Sequence, residues 1–225
     1  VYDAIMAQSG VLRVDTVQEL FDYAMAFGNQ PLPRSDRVAI ITNAGGPGIM
    51  TTDACVRYGL QLAPLQEDTQ DALRAALPSV ANVQNPVDVI GDARHDRYET
   101  ALKTVLADKN TDAVIVILTP QTMTDIEAVA QVVSSVASET DKPVLASFMG
   151  LIDVSPGVEI LRKNGVPHYP FPEGAARVLK AMDTYRRWLT RPRTNERVFD
   201  VDRARVQRVF QRAIEEGRRQ LPDLE

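Results

Sequence analysis

Apolar residues along the 225-residue chain follow two rhythms. Short unbroken apolar runs read as buried parallel strands, and longer stretches with apolar residues at i, i+3, i+4 and i+7 read as amphipathic helices. From Asp36 onward the two alternate. Val38 to Ile41 predicts a first strand, followed by a helix that stops near Gly59 and by the piece Leu60-Gln-Leu62. A helix over roughly 66–77 precedes the short segment Asn85-Pro-Val-Asp-Val-Ile90. Tyr98, Ala101, Leu102 and Val105 mark a helix that leads to Ala113-Val-Ile-Val-Ile-Leu118, the most apolar run and the central-strand candidate. Ile126, Val129, Ala130, Val133 and Ala137 keep helical spacing before the strand Pro143 to Phe148. Val166 to Tyr169 reads as a final short strand, and a helix from Glu173 to about Leu189 closes the series through Val178, Leu179, Met182 and Tyr185. This alternation predicts an α/β fold: a doubly wound parallel sheet of about five strands in a flavodoxin-like three-layer sandwich.

The two ends read differently. Val1 to Gln8 has helical character, Val11 to Val14 reads as a short strand, and Asp15 or Thr16 caps a helix whose apolar face holds Val17, Leu20, Phe21 and Ala24. Gln30-Pro-Leu-Pro-Arg-Ser35 then breaks it, so residues 1–35 are expected to be the tail of an earlier domain plus a linker, and 36–190 the sheet domain. Residues 191–225 hold a Thr-Arg-Pro-Arg-Thr linker and an amphipathic helix through Val206, Val209, Phe210, Ala213 and Ile214. Arg186, Arg187, Arg191, Arg193 and Arg197 lack interleaved aromatics and are soon offset by Glu196, Asp200 and Asp202, which argues for a solvated linker over a nucleic-acid surface.

Chemistry concentrates at the first strand's end. In Val38-Ala-Ile-Ile-Thr-Asn-Ala-Gly-Gly-Pro-Gly-Ile-Met-Thr-Thr-Asp53 the glycines permit a tight turn and close backbone approach. Gly46 is the expected cap and Pro47 the first helical residue, which turns free N–H groups toward an anion. The expected phosphate-binding set is Asn43, Ala44, Gly45, Gly46, Gly48 and Thr51. In doubly wound sheets ligands sit beyond the strands' carboxyl ends, which makes Asn85, Asp88, Thr119 and Gln121 candidate lining residues. For Asp88 and Asp92 a structural role is favoured, since a carboxylate repels an anion unless it orients loop amides. Thr51 stands where a dinucleotide fingerprint carries Gly or Ala, and no Gly-Lys-Ser/Thr ending supplies a P-loop's lysine.

Composition narrows the classes further. A net charge of −5 opposes a general attraction to nucleic acid or anionic membranes, and no apolar run approaches a spanning length. Cys55 is the single cysteine, which excludes an intrachain disulfide and fits a reducing cytoplasm. His95 and His168 are the two histidines; neither has metal-ligand spacing or a partner of known geometry, and both read as non-catalytic. No Gly-x-Ser-x-Gly elbow occurs. No catalytic residue and no metal ligand is therefore assigned.

Four ordered segments carry a resemblance: Asn43 to Asp53, Asn85-Pro-Val-Asp-Val-Ile-Gly-Asp92, Thr119-Pro-Gln-Thr-Met-Thr-Asp125 and Lys142-Pro-Val-Leu-Ala-Ser-Phe-Met-Gly150. In this order they resemble the NDP-forming acyl-CoA synthetases, the family of ADP-forming acetate–CoA ligase and, more distantly, succinyl-CoA synthetase. Val1-Tyr-Asp-Ala and Gly10 to Phe21 are similar to the end of that family's preceding ligase domain. Ala213 to Arg218 and Leu221 to Glu225 are similar to the lead-in to a fused ATP-grasp module.

The resemblance implies a reversible reaction in which acyl-CoA, ADP and phosphate give acid, CoA and ATP through an acyl phosphate and a phosphohistidine. The family's histidine falls before Val1, so neither His95 nor His168 takes that role. The helix behind Asn43 to Gly48 matches one of two helices whose N-termini cradle the phosphohistidine. CoA, ATP or ADP and magnesium are implied for the parent enzyme, none of them held by this fragment alone. The implied partners are CoA-binding, histidine-loop and ATP-grasp modules, with a homo-oligomer open and no nucleic acid or membrane. Two alternatives stand beside this reading: a synthetase-like regulatory region of a protein lysine acetyltransferase, and a non-catalytic flavodoxin-like binding domain.

Overall fold

In a computed structural model, residues 2–192, 200–218 and 220 are described. The chain divides into two compact units, 1–191 and 192–225. In the first, the elements run α1 (Tyr2–Ser9), α2 (Val17–Asn29), β1 (Arg37–Thr42), α3 (Gly45–Arg57), β2 (Gln61–Leu62), α4 (Glu67–Ala76), β3 (Val87–Asp88), α5 (His95–Ala107), β4 (Ala113–Leu118), α6 (Ile126–Ser138), β5 (Val144–Phe148), α7 (Ser155–Lys163) and α8 (Pro172–Thr190). The second contains α9 (Arg203–Glu215).

The sheet is parallel, in the order β2-β1-β4-β5. β2 pairs with the start of β1 (Arg37↔Gln61) and β3 with its end (Thr42↔Asp88). β1 to β4 is where the order reverses, the switch point at which such sheets leave a crevice. Alternation along the strands sorts the core into two layers. Ala39, Ile41, Val114, Val116, Val144 and Ala146 pack beside Leu73, Leu102, Val129 and Leu161 of α4 to α7. Val38, Ile40, Ile115, Ile117 and Leu145 pack beside Ala26, Ala54, Leu179 and Met182 of α2, α3 and α8. All six residues of β4 are buried, as the unbroken apolar run requires of a central strand covered on both faces.

Several local expectations change. α3 begins at Gly45 after the extended N-cap Ala44, so Gly46 is not the cap and Pro47 stands third in the first turn. There the ring still deletes only an N–H without an intrahelical acceptor. Val11 to Val14 forms no strand. Val166 to Tyr169 makes only an isolated parallel bridge, Ala146↔His168, although Ala146 N–H donates to Pro167 O and Tyr169 N–H to Ala146 O. α7 was not foreseen; its buried Gly157 and Leu161 give too thin an apolar stripe for periodicity to register.

α2 belongs to the same compact unit as the sheet. Its Asp22, 4% exposed, is held by Arg177 of α8 at 3.0 Å and by Gln18 at 2.8 Å, and its carbonyl accepts from the Tyr169 hydroxyl. Arg186 and Arg187 pair with the buried Asp183, and Arg187 also with Asp36, so these arginines are structural. Arg193 and Arg197 lie outside the described residues, as do Val1, Glu196 and Leu221 to Glu225. No helix among the described residues is long and apolar enough to cross a membrane.

Candidate functional site

The loops that follow β1, β3, β4 and β5 converge at the carboxyl edge of the sheet. Asn43 continues β1 and is 3% exposed. Its Oδ1 accepts from Thr119 N–H and its Nδ2 donates to Thr119 O, both at 2.8 Å, so one side chain spans the switch point between β1 and β4. One residue earlier, the Thr42 hydroxyl accepts from Ala44 N–H at 3.0 Å and donates to Ala44 O at 2.9 Å, which turns the chain into α3.

At that N-terminus no side chain caps the helix. Gly48 N–H is used on Ala44 O at 3.2 Å, while the N–H groups of Gly45 and Gly46 have no acceptor among the described residues. A β-carbon at Gly46 would stand in open space, whereas one at Gly48 would lie 3.0 Å from Thr42 Cγ2. The two glycines therefore differ: Gly48 serves packing, and Gly46 leaves the amide surface bare.

The neighbouring loops close around this end. Asp88 Oδ1 accepts from Ile90 N–H at 2.8 Å, and Oδ2 lies 3.9 Å from where a β-carbon on Gly45 would be. Ile90 itself adopts φ +70, an uncommon conformation for a β-branched residue. A β-carbon on Gly91 would lie 3.8 Å from both Asn43 O and Gln121 Cγ, and one on Gly150 3.1 Å from Pro120 Cδ. Gln121 is exposed at the rim, and Thr119 Oγ1 is buried with no hydrogen-bond partner.

Asn43, Ala44, Gly45, Gly46, Gly48, Asp88, Thr119 and Gln121 thus share one crevice. Two expected residues face elsewhere. The Thr51 hydroxyl, fully buried, donates to Pro47 O at 2.7 Å within its own helix. Asn85 lies below the crevice, where its side chain accepts from Ile40 N–H and donates to Val38 O and Ala63 O, tying β1 to the chain after β2. Asn43 is likewise spent on the backbone, so what the crevice offers an anion is main-chain N–H. The part played by Thr42 and the left-handed Ile90 had no signal in the sequence, since a strand-end threonine and an isoleucine carry no turn signature.

The histidines stand apart from this chemistry. His168 Nε2 lies 3.1 Å from Phe148 O and its ring meets Phe148 edge-on; burial lowers its pKa and the contact with Phe148 partly opposes that. His95 is the exposed first residue of α5. Among the described residues no group of three or more His, Cys, Asp or Glu side chains is arranged to hold a metal.

The Ligase-CoA domain model matches residues 38–192. The chain is 36% identical over 218 residues to the ADP-forming 4-hydroxybutyrate–CoA ligase of Nitrosopumilus maritimus, a match that covers 97% of this chain and 31% of that protein. It is 43% identical over 186 residues to the alpha subunit of ADP-forming acetate–CoA ligase II of Pyrococcus furiosus, covering 81% of this chain and 40% of the subunit. Among solved structures, the dinucleotide-forming acetyl-coenzyme A synthetase 1 of Ca. Korarchaeum cryptofilum, in complex with phosphate and ADP, superposes with a TM-score of 0.78 at 29% identity, over 83% of this chain and 41% of that one. The chain thus spans about a third to two-fifths of the length of these relatives. With a doubly wound sheet whose switch-point crevice ends on an uncapped helix, and a family match across the whole of that sheet, the chain belongs to the Ligase-CoA domain family.

Proposed function

We propose that this chain supplies the phosphate-handling part of an ADP-forming acid–CoA ligase. The parent enzyme interconverts acyl-CoA, ADP and phosphate with acid, CoA and ATP. Phosphate displaces CoA to give an acyl phosphate; a histidine takes the phosphoryl group and releases the acid; ADP takes it from the histidine. The role proposed for Ala44 to Gly48 is to receive the phosphoryl group on that histidine. The observation that carries this is the pair of unpartnered amides, Gly45 and Gly46, at the end of a 13-residue helix in the β1/β4 crevice.

The electrostatics suit a group that must leave again. A helix N-terminus stabilises an anion by about 0.3–1 kcal/mol when exposed and up to about 2 when partly buried. Asp88 adds a negative charge beside Gly45, which disfavours prolonged residence. Asn43, Thr119 and Asp88 shape the walls, and Gln121 lines the rim. The nucleophilic histidine is assigned to another part of the parent, because His168 is turned to a backbone carbonyl and His95 stands alone on the surface.

In this proposal residues 36–190 are the ligase domain, and 1–35 and 191–225 join it to CoA-binding, histidine-loop and ATP-grasp modules. CoA, nucleotide and magnesium are handled by those modules. The lone buried thiol suits a cytoplasmic setting. The relatives named above are all CoA ligases or synthetases, which gives no support to an acetyltransferase region or a non-catalytic binding domain.

The test is to incubate the parent enzyme with γ-labelled ATP and magnesium. The expected result is acid-labile, base-stable protein phosphate that CoA plus an acid discharges, with discharge slowed by Gly46→Val. No protein phosphate would refute the relay; phosphate discharged normally by the variant would refute the role of Ala44 to Gly48.

A further inference from the structure

The segment before α2 is attached in an unusual way. α1 buries no residue, and none of residues 2–14 is fully buried. An eight-residue helix is marginal without tertiary support. What holds it is concentrated at one place. The carbonyl of Gln8 accepts from Trp188 Nε1 at 3.0 Å and from Arg191 at 2.8 Å. Gly10 ends α1 with φ +73, as Val11 N–H donates to Met6 O at 2.9 Å and Gly10 N–H to Ala7 O at 3.5 Å. That six-to-one and five-to-two pair closes the helix and requires a residue tolerant of the left-handed region.

The same glycine is the seat of an aromatic stack. A β-carbon on Gly10 would lie 2.5 Å from Trp188 Cε2, so the indole packs directly on the Gly10 backbone. Trp188 stacks on Tyr185 with centroids 5.9 Å apart, Tyr185 meets Phe27 edge-on at 5.6 Å, and the Arg191 guanidinium lies 4.9 Å over the indole. Beyond Gly10 the chain runs over a groove of about 480 Å³ lined by Leu12, Val14, Leu20, Tyr23, Phe27 and Tyr185, where Leu20 remains 54% exposed. The cover over this groove is therefore loose, in contrast to the fully buried layers around the sheet.

We propose that residues 2–14 are a strap that opens and closes as one unit, with Gly10 on Trp188 as its clasp and the bend at Asp15 and Thr16 as its hinge, uncovering the groove between α2 and α8. The hinge is fixed on its far side, because Thr16 Oγ1 accepts from Glu19 N–H while Glu19 Oε2 accepts from Asp15 N–H. This reciprocal capping box keeps α2 intact when the strap lifts. Opening breaks the Gln8 bonds and the helix closure together, so α1 melts with it. The inference does not depend on the function proposed above.

Trp188 is the single tryptophan of the chain, so its fluorescence reads the clasp directly. The experiment compares the 225-residue chain with Gly10→Ala and Arg191→Ala by amide hydrogen exchange and tryptophan emission. In the unaltered chain, amides in 2–14 should share one exchange rate, faster than β1 and β4. Gly10→Ala is expected to speed their exchange about tenfold or more and shift the emission to the red, since alanine opposes both the left-handed turn and the indole contact. Arg191→Ala, which leaves the backbone untouched, is expected to speed it roughly two- to tenfold for one lost hydrogen bond. In both variants β1, β4 and α3 should keep their protection. Unchanged exchange in 2–14 in both variants would overturn the clasp. Loss of protection in β1 and β4 alongside 2–14 would overturn an independent strap, and should Gly10→Ala fail to fold, the Arg191→Ala result decides.

Discussion

Asn43 and Thr119 exchange two hydrogen bonds across the β1/β4 switch point, each 2.8 Å long and each joining a side-chain amide atom to a main-chain group. The residue therefore replaces the ladder where the two strands part to form the crevice. Asn43→Ala would strand a donor and an acceptor in a buried place. The expected loss is about 2–3 kcal/mol, from the desolvation of unsatisfied groups. Urea unfolding at constant m-value is the measurement, and a loss below about 0.5 kcal/mol would contradict the account.

Gly46 and Gly48 should respond in opposite ways to alanine. At Gly46 the new methyl meets open space inside a helix, so stability should hold or rise by about 0.5–1 kcal/mol. At Gly48 it presses on Thr42 Cγ2 at 3.0 Å and should destabilise by about 1 kcal/mol or more. Thermal melts of the two variants side by side decide this, and equal shifts would contradict it.

Removing Arg177 should cost more than its half-exposed position suggests. Its charge holds Asp22, whose side chain is 6% exposed, and it also reaches Glu19 at 3.4 Å. Arg177→Ala leaves a buried carboxylate without its cation, for which about 3–5 kcal/mol is the expected loss. Adding Asp22→Asn in the same chain should recover much of that loss. A double variant no more stable than Arg177→Ala would show that packing, not charge, is what Arg177 supplies.

Stability should fall as the solution is acidified, and His168 should account for part of that fall. Its folded pKa lies below the ordinary 6.5 because burial disfavours the charged ring. Between the folded and unfolded values the unfolded chain binds the extra proton, so stability rises with pH there. The contribution is complete above about 6.5, is lost as pH drops below that, and stops changing once the folded ring is protonated. Stability measured at intervals from pH 8 to 5 should slope less in His168→Gln than in the unaltered chain.

Cys55 should be silent in the native protein. It is fully buried in α3, and burial pushes its thiol up to about 12. At pH 8 an alkylating reagent should leave the folded chain unmodified and label it once unfolded in guanidinium. Rapid native labelling would mean that α3 opens.

Much of the fold was legible because burial imposes periodicity. The run Ala113 to Leu118 can be apolar at every position only if both faces are covered, and it is the central β4. Short elements were less visible. β3 is two residues long and is defined by its pairing with Ile41 and Thr42, and α7 buries only Gly157 and Leu161. The glycine turn after β1 marked the right loop, yet its helix begins at Gly45 because Thr42 holds Ala44 through its hydroxyl, a local bond that no propensity encodes.

The sequence by itself determined the doubly wound sheet, the loop at Asn43 to Gly48 and the membership of a CoA-ligase family, since hydrophobic period, glycine spacing and motif order are properties of the chain read in line. Only the tertiary structure decided which polar groups remain available. Asn43, Asn85 and Thr51 bond to distant or neighbouring backbone and leave the bare amides of Gly45 and Gly46 as the anion-facing surface. Hydrogen-bond satisfaction depends on what lies opposite each group in space, and residues 76 positions apart, such as Asn43 and Thr119, meet only when the sheet has formed.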